Sequence, residues 1–372
     1  MKQSILDNIK NIYGWKTKRK LVVFSIDDYG NVRLDSKKAR DEMDRAGLKV
    51  YNHFDAYDAL ETREDLEALY EVLTSVKDKN GSSAVFTPFA LPCNINFEAM
   101  AENNYSEYKY ELLPETFKKL SARDSKAYDG AWELWQEGIE KGLMKPQFHG
   151  REHLNLKVFK EKLQQKDHEV LTALKNRSYT SITNSGYPSI SITAAFHFWE
   201  FSENKVFRNI IKEGLDAFEK VYGYRSIHFN SPGGSEHPII HQYLHENGVR
   251  CIDTPFIKNE HQGEGKYKKI FNYTGKKHPF GIYQVRNVVF EPTVKTKSNW
   301  VDYSFKQIEA AFRWNKPAII SSHRVNFCGH IDEKNRQLGL SELKALLDKI
   351  VKTWPDVEFI SSEELYKIIT SN

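Results

Sequence analysis

Residues 21–30 read LVVFSIDDYG, a short apolar run that ends in two adjacent carboxylates, a tyrosine and a glycine. The run is rich in β-branched residues and too short for a typical helix, so it predicts a buried strand with polar residues at its carboxyl end. Short apolar runs alternate with helical patterns along the rest of the chain, and this alternation predicts an α/β fold with a parallel sheet or barrel.

The other elements follow from the same patterns. Further strands are predicted at 83–89, 146–149, 226–230, 249–254, 318–322 and 357–361. Helices are predicted at 36–47, 61–76, 157–176, 205–222, 238–247, 305–314 and 340–354. Several of the strands end in a polar or titratable residue, which places the chemistry at one rim of the sheet.

The length of 372 residues suits one α/β barrel domain with insertions, spanning 1–372. The segment at about 94–145 breaks the strand and helix rhythm and is expected to cover the rim. Its tryptophans, Trp132 and Trp135, could stack on sugar rings, although core packing is the preferred role. A second segment, at about 258–298, is punctuated by glycines and predicts a β-hairpin excursion.

Composition excludes several classes of protein. The formal net charge of +4 does not favour nucleic acid binding. A basic run at 266–269 could suit an acidic glycan but is more typical of a solvated loop. Neither a secretory signal nor a membrane span is apparent, so the sequence predicts a cytoplasmic protein. Cys93, Cys251 and Cys328 form no disulfide or metal-binding pattern. The oligomeric state is left open.

The adjacent carboxylates Asp27 and Asp28 are the first candidate for chemistry. Neighbouring side chains of an extended chain point to opposite sides, so one carboxylate can bind a metal while the other acts as a base. The competing interpretation is an ordinary polar strand end.

The second candidate is the pair His149 and His153 in the stretch FHGREHLN. Histidines four residues apart can meet on one face, and imidazole is a common ligand of transition metals. Chance pairs at this spacing are also common in a chain with 13 histidines.

His323 follows another apolar strand, and there it could protonate a leaving group. Asp253 also ends a predicted strand and could orient and charge such a histidine. A lone histidine is more often structural, so His323 gains weight only from the other candidates.

Together these motifs resemble the polysaccharide deacetylases with the NodB homology domain, carbohydrate esterase family 4. The family's first motif, T-F-D-D-G after an apolar strand, is matched by S-I-D-D-Y-G at 25–30, with one residue inserted before the glycine. Its H-x-x-x-H motif is matched at 149–153, F-N-S-P-G at 229–233 resembles its R-x-P motif, and His323 resembles its final histidine.

The resemblance implies a distorted (β/α) barrel of the deacetylase type, which removes an N- or O-linked acetyl group from a carbohydrate. It implies a divalent metal, with zinc preferred over cobalt, manganese, nickel and iron. The implied metal ligands are Asp28, His149 and His153, the implied base is Asp27, and the implied acid is His323 with Asp253 behind it. Contacts with the substrate are expected from Tyr29, Asn230 and Pro232.

One departure and three alternatives remain open. Asn230 stands where the family has an arginine that pairs with the base, which leaves a non-catalytic carbohydrate-binding relative possible. The stretch 149–153 also spells H-x-x-E-H, a metallopeptidase signature that requires a helix, and Gly150 argues against that helix. The YdjC-like oligosaccharide deacetylases also open with an apolar strand and D-D-x-G, but their histidines are not a tight pair.

Overall fold

A computed structural model describes residues 2–183 and 186–371. Its strands are β1 (Lys20–Tyr29), β2 (Phe86–Ala90), β3 (Cys93–Ile95), β4 (Tyr110–Leu112), β5 (Gln147–Phe148), β6 (His228–Asn230), β7 (Cys251–Asp253), β8 (Ile257–Gly263), β9 (Lys266–Phe271), β10 (Lys277–His278), β11 (Gly281–Gln284), β12 (Val288–Val289), β13 (Ala318–His323) and β14 (Val357–Phe359).

Helices connect most of the strands. They are α1 (Lys2–Ile9), α2 (Lys37–Arg45), α3 (His53–Tyr57), α4 (Arg63–Thr74), α5 (Phe97–Glu102), α6 (Leu113–Arg123), α7 (Ser125–Tyr128), α8 (Ala131–Glu140), α9 (Leu156–Gln164), α10 (His168–Lys175), α11 (Phe207–Tyr222), α12 (Ile239–Glu246), α13 (Trp300–Arg313), α14 (Glu333–Thr353) and α15 (Ser362–Thr370). Two short 3₁₀ helices span Phe201–Val206 and Arg324–Phe327.

The main sheet confirms the α/β class. Its strands lie in the order β10-β11-β7-β6-β5-β2-β1-β13-β12, and β14 pairs with the first residues of β1. All of its pairs are parallel except β10 with β11. The sheet curls into an open half-barrel. Two small antiparallel hairpins, β3–β4 and β8–β9, stand apart from it.

Strand β1 is buried on both faces, as a central strand of a parallel sheet is. Val22, Phe24 and Ile26 belong to the main hydrophobic core, whereas Leu21 and Val23 pack in a second cluster. This explains why the stretch is a continuous apolar run rather than an alternating one.

The segment between β3 and β5 is mainly helical and holds α5 to α8. Trp135 of α8 is fully buried and donates a hydrogen bond to Glu61 Oε1 at 2.8 Å. Trp132 packs against Phe117 with ring centroids 5.8 Å apart. Both tryptophans therefore serve the core, which agrees with the preferred interpretation of the sequence. Among the described residues, no helix is both long and apolar enough to cross a membrane.

Candidate metal centre

The two adjacent carboxylates at the end of β1 take different directions. Asp28 has a positive φ of 74°, and the pairing of β1 with β2 shifts register between Ile26 and Tyr29. Such irregularities re-aim a side chain, and aspartate tolerates the left-handed conformation better than most residues. Asp28 therefore leaves the strand pattern, while Asp27 stays in register with His323 of β13.

Buried charges hold the turn that follows Asp28. The Gly30 N–H donates to Glu61 Oε1 at 3.1 Å, and Arg324 Nη1 donates to the carbonyl oxygen of Asn31 at 2.7 Å. Arg324 also donates to Glu61 Oε2 at 3.0 Å. The bend that aims Asp28 is thus fixed from inside the protein.

His149 and His153 lie in the loop between β5 and α9, where Gly150 has a φ of 115°. Nδ1 of His149 lies 2.9 Å from the carbonyl oxygen of Asn230, so it carries the proton and donates it. The lone pair of His149 is therefore on Nε2, which lies 3.3 Å from Asp28 Oδ1. Nε2 of His153 lies at the same distance, 3.3 Å, from that oxygen.

These three residues fit a divalent metal. All three are buried, and their ligand atoms lie within 4.8 Å of one another. Two ligands bonded at 2.0–2.1 Å to a tetrahedral ion lie about 3.3–3.4 Å apart, the spacing seen around Asp28 Oδ1. Within the described residues that oxygen is buried without a hydrogen-bond partner. Two imidazoles and one carboxylate form a typical catalytic zinc set.

Protonation also suits metal binding. Burial lowers the pKa of His153 to about 4, although Asp28 opposes the shift, so His153 is neutral at pH 7. Burial raises the pKa of Asp28, but the imidazoles of His149 and His153 outweigh it and hold the pKa well below its ordinary value. A neutral imidazole and an ionised carboxylate are the forms that bind a cation.

Asp27 is held by an arginine that the sequence analysis did not identify. Arg286 Nη1 donates to Asp27 Oδ2 and Nη2 to Oδ1, both at 2.7 Å. Asn230 Nδ2 adds a third hydrogen bond to Oδ1 at 2.8 Å. Burial raises the pKa of Asp27, but Arg286 outweighs it, so the pKa lies below its ordinary value. Asp27 is therefore ionised.

His323 has a carboxylate partner of its own. Nδ1 of His323 lies 2.7 Å from Glu291 Oε1, and Nε2 lies 3.8 Å from Asp27 Oδ2. Asn326 Nδ2 donates to the other oxygen of Glu291 at 2.6 Å. Burial lowers the pKa of His323, but the carboxylate of Glu291 and, more weakly, those of Asp27 and Asp28 outweigh it. The pKa of His323 is raised to about 10. His323 is therefore protonated at neutral pH.

The expected pairing of Asp253 with His323 is wrong. Asp253 Oδ2 instead accepts a hydrogen bond from Arg286 Nε at 2.6 Å, and Glu291 takes the place beside His323. The sheet order explains the change. Strand β7, which ends at Asp253, is separated from β13 by four strands, whereas Glu291 lies two residues beyond β12, the neighbour of β13.

Two expected substrate contacts also differ from the structure. The side chain of Tyr29 is buried against Trp135, with ring centroids 5.7 Å apart, and does not line the cavity beside the metal ligands. Pro232 faces Gly150 rather than the cavity, although its neighbours Ser231 and Gly233 do line it. Asn230 lines the cavity and, as described above, bonds to Asp27.

All of the predicted site residues except Tyr29 and Pro232 line a cavity of about 500 Å³. Its size is typical of a small-molecule site. It is lined by Asp27, Asp28, Arg33, Phe54, His149, His153, Thr193, Asn230, Ser231, Gly233, Gly234, Asp253, Thr254, Pro255, Arg286, Val289, Ser321 and His323. The polar strand ends thus converge on one rim, as the sequence indicated.

The H-x-x-E-H alternative lacks its helix. Residues 149–153 form an irregular loop, and Glu152 is paired with Arg151 through hydrogen bonds of 2.6 and 3.0 Å. Glu152 does not line the cavity. It is therefore not placed to act as the base of a metallopeptidase.

Comparisons with known proteins were made for family, sequence and structure. No protein-family model matches the chain, and no curated protein matches its sequence. The fold is similar to that of several solved structures, among them polysaccharide and peptidoglycan deacetylases.

Three of these structures illustrate the likeness. A Mycobacterium smegmatis protein described as a polysaccharide deacetylase has 12% identity and a TM-score of 0.45, over 96% of this chain and 93% of that one. The allantoinase PuuE has 10% identity and a TM-score of 0.47, over 95% of this chain and 91% of that one. The Bacillus subtilis peptidoglycan deacetylase PdaC has 11% identity and a TM-score of 0.33, over 95% of this chain and 92% of that one.

Proposed function

We propose that this chain is a divalent-metal-dependent hydrolase that removes an acetyl group from a carbohydrate. The observation that carries the proposal is the convergence of a buried carboxylate and two imidazoles on one point beside the ionised Asp27. The protonated His323 lies on the other side of Asp27, at 3.8 Å. Together these side chains supply the metal ligands, base and acid of a hydrolase that acts on an acyl bond.

Asp28, His149 and His153 would hold the metal through Oδ1 and the two Nε2 atoms. A divalent ion in such a site polarises the substrate carbonyl and acidifies water. The hydrogen bond from His149 Nδ1 to Asn230 keeps Nε2 free for this role and fixes the orientation of the ring.

Asp27 would accept the proton of the attacking water at one of its carboxylate oxygens. Arg286 occupies both oxygens with hydrogen bonds of 2.7 Å, so it orients the carboxylate and keeps it ionised before the reaction. Asp253 accepts a hydrogen bond from Arg286 Nε and so shares the positive charge of that arginine. Arg286 therefore lowers the basicity of Asp27 less than an arginine paired with Asp27 alone would. The base is thereby placed with little freedom to rotate.

His323 would donate a proton from Nε2 to the leaving amine or alcohol. Because Nδ1 is bonded to Glu291, the ring presents Nε2 to the cavity. The raised pKa keeps that proton available at neutral pH. General acid catalysis needs a protonated group beside the reacting bond, and His323 lines the cavity with its proton in place.

The test combines metal analysis with acetate release. We expect the purified protein to bind about one divalent ion, and we expect His153→Ala to lose that ion. Asp27→Asn should keep the metal and lose acetate release from a panel of N- and O-acetylated sugars. Lys118→Gln, an exposed change on α6, serves as the control.

Two outcomes would contradict the proposal. Equal metal content in the wild type and in His153→Ala would contradict the assignment of His153 as a metal ligand and, with it, the metal site. Stoichiometric metal with no acetate release from any sugar of the panel would instead indicate a carbohydrate-binding relative without turnover.

A further inference from the structure

The positive charge of the chain is concentrated in one short segment. Residues 254–283 contain six lysines and two glutamates, with no arginine or aspartate, which gives this segment a charge of +4. The whole chain also has a formal net charge of +4, so the remaining residues balance one another. The segment comprises the β8–β9 hairpin, β10 and the start of β11.

Several of these lysines have no acidic partner. Lys258 is buried and pairs with Glu236, and Lys266 pairs with Glu264 at 2.6 Å. Lys276 Nζ donates to the carbonyl oxygen of Phe271. Within the parts of the chain that the structure describes, three further lysines form no ion pair: Lys268, Lys269 and Lys277. Lys268 lies opposite Glu260 in the hairpin, whereas the charges of Lys269, Lys276 and Lys277 are available to an external anion.

Exposed apolar side chains accompany the lysines. Phe271 is 63% exposed, Ile257 47%, Tyr267 42% and Tyr273 37%. Ile257 and Phe271 are directly opposite each other in the β8–β9 register. Flat rings exposed beside unpaired cations are typical of surfaces that bind charged sugars, because the rings stack and the cations pair with carboxylates. Tyr267, Lys269 and Phe271 lie on one face of β9, whereas Lys268 lies on the other face, opposite Glu260. We call Ile257, Tyr267, Lys269, Phe271, Tyr273 and Lys276, which donates to the Phe271 carbonyl oxygen, the hairpin surface.

The hairpin surface adjoins the cavity that holds the metal ligands. Thr254 and Pro255 line that cavity and lead directly into β8. Asn272, the residue after β9, donates from its backbone to the carbonyl oxygen of Phe256 at 2.9 Å and from its side chain to Thr254 Oγ1 at 3.3 Å. Ile257 lies two residues beyond Pro255, so the hairpin surface begins at this edge of the cavity.

We propose that the hairpin surface binds the flanking residues of an acidic glycan chain whose acetylated unit occupies the cavity. This inference rests on the proposed hydrolase function and names its substrate class, a polymer that carries carboxylate groups. The arrangement favours a glycan over an anionic membrane. The turn of the hairpin carries Glu264 and Gly265, whereas a membrane-inserting hairpin would present apolar residues there.

The test measures binding of polygalacturonate, an acidic glycan, to the full-length metal-loaded protein by calorimetry. We expect the paired change Lys269→Gln and Lys276→Gln to weaken binding about tenfold at low salt, and the difference from wild type to shrink at high salt. Phe271→Leu, which keeps an apolar side chain but removes the ring, should weaken binding at both salt concentrations. Lys118→Gln with Lys220→Gln is the control, with the same change of charge on α6 and α11.

The probes also separate the possible partners. Uncharged dextran should bind at least tenfold more weakly than polygalacturonate, and vesicles containing phosphatidylserine should not bind. The proposal is overturned if wild type does not bind polygalacturonate, if the hairpin variants bind it as wild type does, or if the vesicles bind in its place.

A failure of the hydrolase function would give a different result. Metal content and release of acetate from a small acetyl ester are measured in the same variants, and the hairpin changes should alter neither. If the wild type binds polygalacturonate but contains no metal and releases no acetate, the hydrolase proposal is contradicted while the proposed glycan-binding surface is supported.

Discussion

Glu291 sets the protonation of His323, and replacing it with glutamine should move the alkaline limit of activity. The hydrogen bond between them is 2.7 Å long, and both side chains are largely buried. With about 4 Å between the charge centres and an effective dielectric constant of about 20, the carboxylate stabilises the imidazolium by about 4 kcal/mol. At 1.36 kcal/mol per pH unit, removing that charge should lower the pKa of His323 from about 10 by about 3 units.

The assay is the pH dependence of kcat/KM with an acetylated sugar that the enzyme turns over. In Glu291→Gln the alkaline limb should move from near pH 10 to near neutral pH, because His323 loses its proton earlier. Glu67→Gln, which removes an exposed carboxylate on α4, should leave the profile unchanged. An unchanged alkaline limb in Glu291→Gln would refute the assignment of Glu291 and, with it, of His323 as the acid.

The same change has a signature in stability. The folded pKa of His323 is raised above its unfolded value of about 6.5, so its contribution to stability is fully present below pH 6.5 and is lost as the pH rises toward 10. In Glu291→Gln this loss between pH 6.5 and 10 should largely disappear from a series of melting temperatures. The glutamine is nearly isosteric and can still accept the hydrogen bond from Asn326, so a packing defect should not obscure the effect.

Three further changes test the buried charges and the metal. Arg286→Met leaves Asp27 and Asp253 without their shared cation, so it should destabilise the fold by about 3–5 kcal/mol in urea denaturation; a loss below 1 kcal/mol would contradict the ion pairs. Arg324→Leu should cost a similar amount, because Asp58 and Glu61 are fully buried around it, and it should also weaken metal binding by loosening the turn after Asp28. Chelation should abolish turnover and lower the melting temperature. Adding zinc at about 100 times its dissociation constant should raise the free energy of unfolding of the metal-free protein by about 2.7 kcal/mol. An unchanged melting temperature after chelation would argue against a bound ion.

The rim residues could be predicted from the sequence because each follows its own apolar strand. Asp27, Asp28 and His323 lie at the ends of β1 and β13, and parallel strands bring their carboxyl ends to one edge. His149 directly follows β5, and a short loop is enough to bring His153 to the same edge of the sheet. Local pattern and fold class together were enough for these positions.

Arg286 and Glu291 could not be found in this way. They lie on either side of β12, a strand of two residues that has no clear hydrophobic pattern. Their partners depend on where β11 and β12 insert into the sheet, beside β7 and β13 respectively. That placement is a tertiary choice, so no motif within the sequence pointed to it.

The predicted helix at 157–176 shows a smaller limit of the same kind. The structure divides it into α9 and α10, because Lys166 adopts a φ of 52° and Asp167 caps the second helix by accepting from the Val170 N–H. Apolar residues continue at helical spacing across the break, which concealed it. The aspartate was a visible N-cap signal, and a stricter use of capping would have separated the two helices.

The asparagine at 230 is explained by Arg286. Asp27 already accepts two hydrogen bonds from one guanidinium, and Asn230 adds a neutral donor at 2.8 Å. An arginine at 230 would place a second guanidinium against Arg286, and like charges in a buried site repel strongly. The cation that the resemblance places at 230 is thus supplied from the segment after β11, with Asp253 as its counter-charge. The departure at 230 therefore accompanies a relocated arginine and gives no reason to expect that Asp27 has lost its partner.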